Sequence, residues 1–176
     1  MVLLRYFLIG ILTVACQSSQ KPLPLDADAM SAASSEYLVL AQKALTYQAD
    51  FRLNDWSSLL AEDVEYDLPA GDSLRRLRGK VAVLAHWRAW KDSHRVREVR
   101  LSGFTILPVL SPRAQPLADL PGVYVPVACR RRVTYLSGQV REEPLSQWMH
   151  FDEDKLIDRL YDFAGSGEIG PDNSVH

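Results

Sequence analysis

Only two cysteines, Cys16 and Cys129, occur in the 176 residues, so no disulfide framework is implied. Histidine is scarce too, at four, and no Cys, His and carboxylate group has zinc-ligand spacing. No metal and no cofactor is therefore expected. The chain has no basic run longer than Arg130-Arg131-Arg132, and its net charge is −2. Nucleic-acid binding needs a basic surface, so nucleic acid is not expected as a partner. No apolar run is long enough to span a bilayer comfortably as a helix; residues 6–14 fall short. No internal repeat is present. What remains is 47% hydrophobic and 24% charged, the composition of one globular domain with a real core.

The first residues read as an address. Arg5 and the amino terminus supply a positive start, residues 6–14 an apolar centre, and small residues precede Cys16. Residues 1–15 are thus expected to be a signal peptide. Thr13-Val14-Ala15-Cys16 resembles a bacterial lipobox, with the usual leucine one place early at Leu12. The resemblance implies cleavage before Cys16 and lipidation of its thiol. Gln17 after the cysteine resembles lipoproteins sent to the outer membrane. The expected location is the bacterial cell envelope, on the outer membrane facing the periplasm, with the membrane reached through the lipid anchor. Ordinary secretion with an idle cysteine and an uncleaved anchor are the alternatives. Residues 16–33 are polar and rich in Pro, Ala and Ser, as a flexible tether would be.

A helical pattern begins at residue 34. Leu40, Ala44, Tyr47 and Phe51 make one apolar stripe, and Ser34 or Ser35 can cap its start. Asn54 or Asp55 can cap a short second helix carrying Trp56, Leu59 and Leu60. Glu62-Asp63 break the apolar run before a strand over 64–68 and a turn over 69–72. Gly79 precedes a third helix with Val83, His86, Trp87 and Trp90 on one face. Strands follow over 96–107, bent at Gly103, then over 123–136, 139–151 and 156–163. Ser137-Gly138 makes a two-residue hairpin turn between the two long strands. Residues 111–122 read as an irregular loop, Asp152-Glu153-Asp154 as an acidic turn, and 165–176 as a frayed tail. Helices first and strands afterwards argue for an α+β fold: a curved antiparallel sheet wrapped around N-terminal helices, enclosing a hollow suited to a small molecule.

Four motifs then carry a resemblance. Phe51-x-x-Asn54-Asp55-Trp56, Leu60-Ala61-Glu62-Asp63-Val64, Arg78-Gly79-Lys80 and His150-Phe151-Asp152-x-x-Lys155-Leu156-Ile157 look like the nuclear-transport-factor-2-like superfamily, SnoaL-like branch, over residues 34–164. The resemblance implies a cone-like, cystatin-like barrel, often a dimer, with a pocket between first helix and sheet. It leaves function open, since the superfamily spans isomerases, dehydratases, hydrolases, cyclases and non-catalytic members. Carried over from its ketosteroid isomerases, the first-helix tyrosine falls on Tyr47, the general base on Leu68, and the second oxyanion donor on Gln147. The base is therefore gone, and Asp67 turns to the other strand face.

The expected pocket is lined by Tyr47, Trp87, Gln147, Met149, Arg159, Tyr161 and Phe163. The catalytic residues are unknown, with Tyr47 and His86 as candidates. Tyr47 is either a donor to a ligand carbonyl or a core tyrosine, and His86 either a base or a hydrogen-bonded core histidine. Arg159 shares a strand face with Ile157, Tyr161 and Phe163, where a charge must be paired or solvated. Which of Arg130, Arg131 and Arg132 points inward stays open. In a two-residue hairpin register Arg132 faces Glu143 as an ion pair. Cys129 reads as an inert buried thiol. The strand over 123–136 is apolar on both faces and Trp148 faces outward, so a homodimer through the outer sheet face is expected. Two functions compete: binding of a small, partly apolar ligand, and acid–base catalysis on a carbonyl or ring substrate. A protein-interaction module is the third possibility.

Overall fold

The computed structural model describes residues 31–70, 73–112 and 119–163. The signal peptide, Cys16, most of the tether and the tail over 165–176 lie outside the described residues.

Helix α1 (Ser35–Ala49) starts where Ser34 Oγ accepts the Glu36 N–H at 3.3 Å. Its buried line is Ala41, Ala44, Leu45 and Gln48. Leu40 and Tyr47, expected at its centre, are only partly buried at its flank. Phe51, at φ 55°, ends the helical path. Helix α2 (Leu53–Ser57) buries Leu53 and Trp56. Its cap position is Arg52, not Asn54 or Asp55; the Asp55 carboxylate instead takes Arg52 Nε at 2.8 Å. Helix α3 (Lys80–Ser93) follows Gly79, whose φ of 84° suits a residue without Cβ. It buries Val83, Leu84 and Trp87.

Among the described residues the sheet has eight strands: β1 (Ser31–Ala32), β2 (Leu60–Ala70), β3 (Ser73–Arg78), β4 (Val96–Ile106), β5 (Val109–Ser111), β6 (Gly122–Tyr135), β7 (Val140–Phe151) and β8 (Ile157–Asp162). Their order is β1-β5-β6-β7-β8-β2-β3, with β4 also paired to β6. Among these described strands β2 and β8 pair in parallel and every other pair is antiparallel. The fold is thus the expected α+β one, a curved and mostly antiparallel sheet over N-terminal helices.

Four local details differ from the sequence expectation. Glu62 and Asp63 do not end an element but lie inside β2, in a register shift between Leu60 and Glu65. β3 was not expected; Arg76 and Arg78 on it pair with acidic residues of β2. β1 pairs with β5, so sheet pairing begins ahead of Ser34. The β6–β7 connection is one residue longer than a two-residue turn, with Tyr135 N–H donating to Gln139 O at 2.9 Å and Gly138 at φ 87°. That extra residue moves the register, so Arg131 faces Glu143 and Arg132 faces Glu142. The expected bend at Gly103 is present: φ is 66° and the β4–β6 register shifts between Ser102 and Thr105.

Candidate functional site

The core lies between the helices and the inner sheet face, with Trp56, Tyr66, Phe151, Leu160 and Met149 among its fully buried side chains. Within it sits a cavity of about 20 Å³, room for one water-sized group. Leu45, Gln48 and Ala49 of α1 and Trp87 and Trp90 of α3 form one wall. Val99, Leu101, Arg131, Leu145, Gln147 and Asp162 of the sheet form the other. Ala49, Trp90 and Leu101 are the partly exposed members and mark the mouth.

Strand alternation explains the polar floor. On β6, Val123, Val125, Val127, Cys129, Arg131 and Val133 all point inward and are buried. Arg131 therefore enters the core, settling the open question among the three arginines. Its Nε donates to Glu143 Oε1 at 2.8 Å, and Nη2 reaches the same oxygen. On β7, Leu145, Gln147 and Met149 share the inner face. Gln147 Nε2 donates to Asp162 Oδ1 at 2.7 Å and lies 3.3 Å from the Tyr66 hydroxyl. That hydroxyl donates to Asp162 Oδ2 at 2.8 Å.

Burial holds the Asp162 carboxyl above its ordinary value, although Gln147, Tyr66 and Arg131 pull it back. The Tyr66 hydroxyl is raised well above its own ordinary value, by burial first and then by the Asp162 charge. Three buried polar atoms, all on residues that line the cavity, have no hydrogen-bond partner of normal geometry among the described residues. They are Gln48 Nε2, Trp87 Nε1 and Gln147 Oε1. Gln48 nonetheless stands close enough to Tyr66 to favour its ionised form slightly.

Of the expected pocket residues, Trp87 and Gln147 line the cavity. Met149 is buried in the core on the same face but is not on the cavity wall. Tyr47 stands off the cavity under the Arg52 guanidinium, 4.5 Å from its ring centre. Gln48, one place on, takes the inward position. His86 lies outside the cavity wall, half-buried, with its ring edge-on to Trp87. Burial lowers its pKa, and Arg75 and His94 lower it further. Arg159, Tyr161 and Phe163 are on the outer face. Asp158 is an extra residue between the Phe151–Ile157 and His150–Arg159 pairs, so it reverses the side-chain alternation along β8. Ile157, Leu160 and Asp162 go inward instead. Arg159 pairs with Glu65, the Tyr161 hydroxyl donates to Asp119 at 2.6 Å, and Phe163 packs on Trp148. Leu68 is partly buried against the core, and Asp67 is on the outer face with Arg76 at 2.6 Å. Cys129 is buried, which raises its thiol pKa.

The sequence reading missed Gln48, Tyr66, Asp162 and the inward pairing of Arg131 with Glu143. Signals existed for two of them. Val64 and Tyr66 alternate as inward strand residues. Ile157 and Leu160, three apart with polar residues between, mark the reversed alternation that carries Asp162 inward.

No family model and no curated protein matches the chain. Solved structures do. A Δ5-3-ketosteroid isomerase from a Mycobacterium species is 18% identical with a TM-score of 0.54, covering 72% of this chain and 91% of its own. A nuclear-transport-factor-2-like protein from Burkholderia xenovorans gives 14% and 0.52, over 76% and 92%. A Mycobacterium tuberculosis protein crystallised with estradiol-17β-hemisuccinate gives 18% and 0.53, over 74% and 94%. At these identities the likeness concerns the fold, and the fold is the nuclear-transport-factor-2-like cone.

Proposed function

We propose that this chain binds a small, partly apolar ligand by seating its polar end in the cavity between α1, α3 and the sheet. The apolar body would lie over Ala49, Trp90 and Leu101 at the mouth. The observation that carries this reading is the set of unpartnered polar atoms on residues of an otherwise mainly apolar lining: Gln48 Nε2, Trp87 Nε1 and Gln147 Oε1. A buried polar group without a partner costs about 1–3 kcal/mol, so such atoms mark a place for a water or a ligand. Steroid ligands and substrates of proteins with this fold agree with a partly apolar molecule. The test is thermal stabilisation by a panel of steroids and small terpenoid or aromatic compounds. At least one should raise Tm in a saturable way, and Leu101→Trp, which fills the mouth, should abolish the effect. If no compound in the panel stabilises the wild type, the reading fails.

Acid–base catalysis is the second reading, favoured by one observation: the Asp162 carboxyl on the cavity wall, raised by burial and hydrogen-bonded to Tyr66. Both of its oxygens already accept internal hydrogen bonds, which leaves binding the better supported. Turnover of a Δ5-3-ketosteroid, followed by conjugated-enone absorbance and lost in Asp162→Asn, would reverse that order.

The same proposal places the domain at the bacterial cell envelope, tethered through lipid on Cys16, and assembled as a two-fold dimer through its outer sheet face. Labelled palmitate should enter the wild type and not Cys16→Ser, and Cys16→Ser should leave the membrane fraction. Wild type that takes up no label would remove the anchor from this picture.

A further inference from the structure

We infer that the cavity reads a neutral hydroxyl, so that the ligand class is an alcohol rather than a ketone, a carboxylate or an amine; this rests on the ligand-binding reading above. Trp87 Nε1 can only donate a hydrogen bond, and it is buried without a partner among the described residues. Gln147 is 1% exposed, and its amide is oriented by the Asp162 carboxyl, which takes Nε2 at 2.7 Å. Its Oε1 is therefore left as an unpartnered acceptor. Gln48 Nε2 adds a second donor from α1, with no hydrogen bond of normal geometry although it stands near the Tyr66 hydroxyl. All three residues line the same cavity of about 20 Å³, which has room for a single oxygen-sized group.

That group must accept from at least one donor and give a proton to Gln147 Oε1. A hydroxyl does both. A ketone oxygen can accept from Trp87 and Gln48, but it turns a lone pair toward Gln147 Oε1 and leaves that acceptor unmet. An ammonium satisfies Gln147 and faces two donors. A carboxylate repeats the ketone's defect and adds charge beside Asp162. Arg131 does not rescue it, because Glu143 already occupies the guanidinium from within the core. The inward arginine is thus neutralised by its own cross-strand partner.

The probes are cyclohexanol, cyclohexanone, cyclohexanecarboxylate and methylcyclohexane, which share one apolar body. The reporter is the Trp87 indole N–H resonance in the ¹⁵N-labelled protein, assigned with Trp87→Phe. Cyclohexanol is expected to shift that resonance and to bind about tenfold more tightly than each of the other three, the worth of one satisfied against one unmet buried group. Gln147→Met, which keeps the length and removes the acceptor, is expected to bring cyclohexanol and cyclohexanone to within about twofold of each other. The wild-type comparison stands without this variant should it fail to fold. Equal binding of all four overturns the hydroxyl inference and leaves the ligand-binding reading intact. Tighter binding of the ketone or the carboxylate overturns it in the same way. If none of the four moves the resonance up to its solubility limit, both readings fall and a water is the cavity's occupant.

Discussion

Arg131 and Glu143 are direct partners across the β6–β7 ladder, and both side chains are buried, at 6% exposure each. A pair like this is costly to break from one side and cheap to replace from both, because a lone buried charge has nothing to offset its lost hydration. Glu143→Leu alone should therefore lose about 3–5 kcal/mol of stability, while the double change Arg131→Met with Glu143→Leu should lie within about 1–2 kcal/mol of wild type. Urea unfolding of the three proteins measures this. A double variant as unstable as the single one would show that the pair does more than satisfy its own charges.

Asp162 should make stability depend on pH. Its carboxyl is raised in the folded protein by burial. The folded state therefore holds its proton at pH values where the unfolded chain has released it. Stability from this group is full below the ordinary value of 3.8 and is lost as pH rises through the higher folded value. In Asp162→Asn the Oδ1 can still accept from Tyr66, and the Gln147 amide can turn to accept from the new Nδ2. The variant should fold and should show a flatter pH dependence of urea midpoint over the weakly acidic range. An unchanged slope would mean that Asp162 is ionised in the fold.

How much of this was legible beforehand depended on counting along strands. Trp87 and Gln147 were readable because nothing interrupts the helix or strand period between their anchors and the cavity. Arg159, Tyr161 and Phe163 were assigned inward by the same period, and the single extra residue at Asp158 sent all three outward. The longer loop around Gly138 shifted the cross-strand register, so Glu143 pairs with the inward Arg131 and not with Arg132. A bulge has no composition of its own, so it shows in a sequence only through the spacing of its neighbours. The Tyr47 position failed for a helical reason: Tyr47 and Gln48 are one step apart, about 100° around α1, and the smaller apolar residues Ala41 and Ala44 set the buried face toward Gln48.

Gly122 is a place where only glycine fits. Its φ is 139°, and a Cβ there would press into the His150 ring and lie 3.3 Å from Phe151 O. His150 Nε2 lies 3.1 Å from Pro121 O, and Nδ1 faces Asp158. Gly122→Ala should cost about 1–3 kcal/mol through strain and displacement of the imidazole. Differential scanning calorimetry should show a lower Tm, and pairing the change with His150→Ala should recover part of it. No recovery would assign the cost to backbone strain alone.

The outer sheet face decides the last prediction. Trp148 stands opposite Pro126 on β6 and Tyr161 on β8, and its ring meets Phe163 at 5.5 Å and Tyr124 at 6.3 Å. One end of this face is already covered by the chain itself. Leu120 N–H donates to the Tyr124 hydroxyl at 2.9 Å, and both Tyr124 and Tyr161 donate to Asp119. Burial pushes the Tyr124 hydroxyl up to about 12, which fits a group closed off from water. The far edge is an ion-pair ladder of Glu65, Arg76, Arg78 and Arg159. What stays apolar is the strip of Pro126, Ala128, Trp148 and Phe163 between them, with Phe163 43% exposed. A strip this narrow makes a dimer only if the aromatic pair is its centre, since buried aromatic anchors carry most of an interface's energy. Trp148→Glu should therefore weaken self-association by at least about a hundredfold, on the order of 3 kcal/mol, and leave the unfolding transition nearly unchanged. Light scattering at micromolar concentration gives the answer: a wild-type protein that scatters as a clean monomer rules the dimer out, and a Trp148→Glu protein that still scatters as a dimer moves the interface elsewhere.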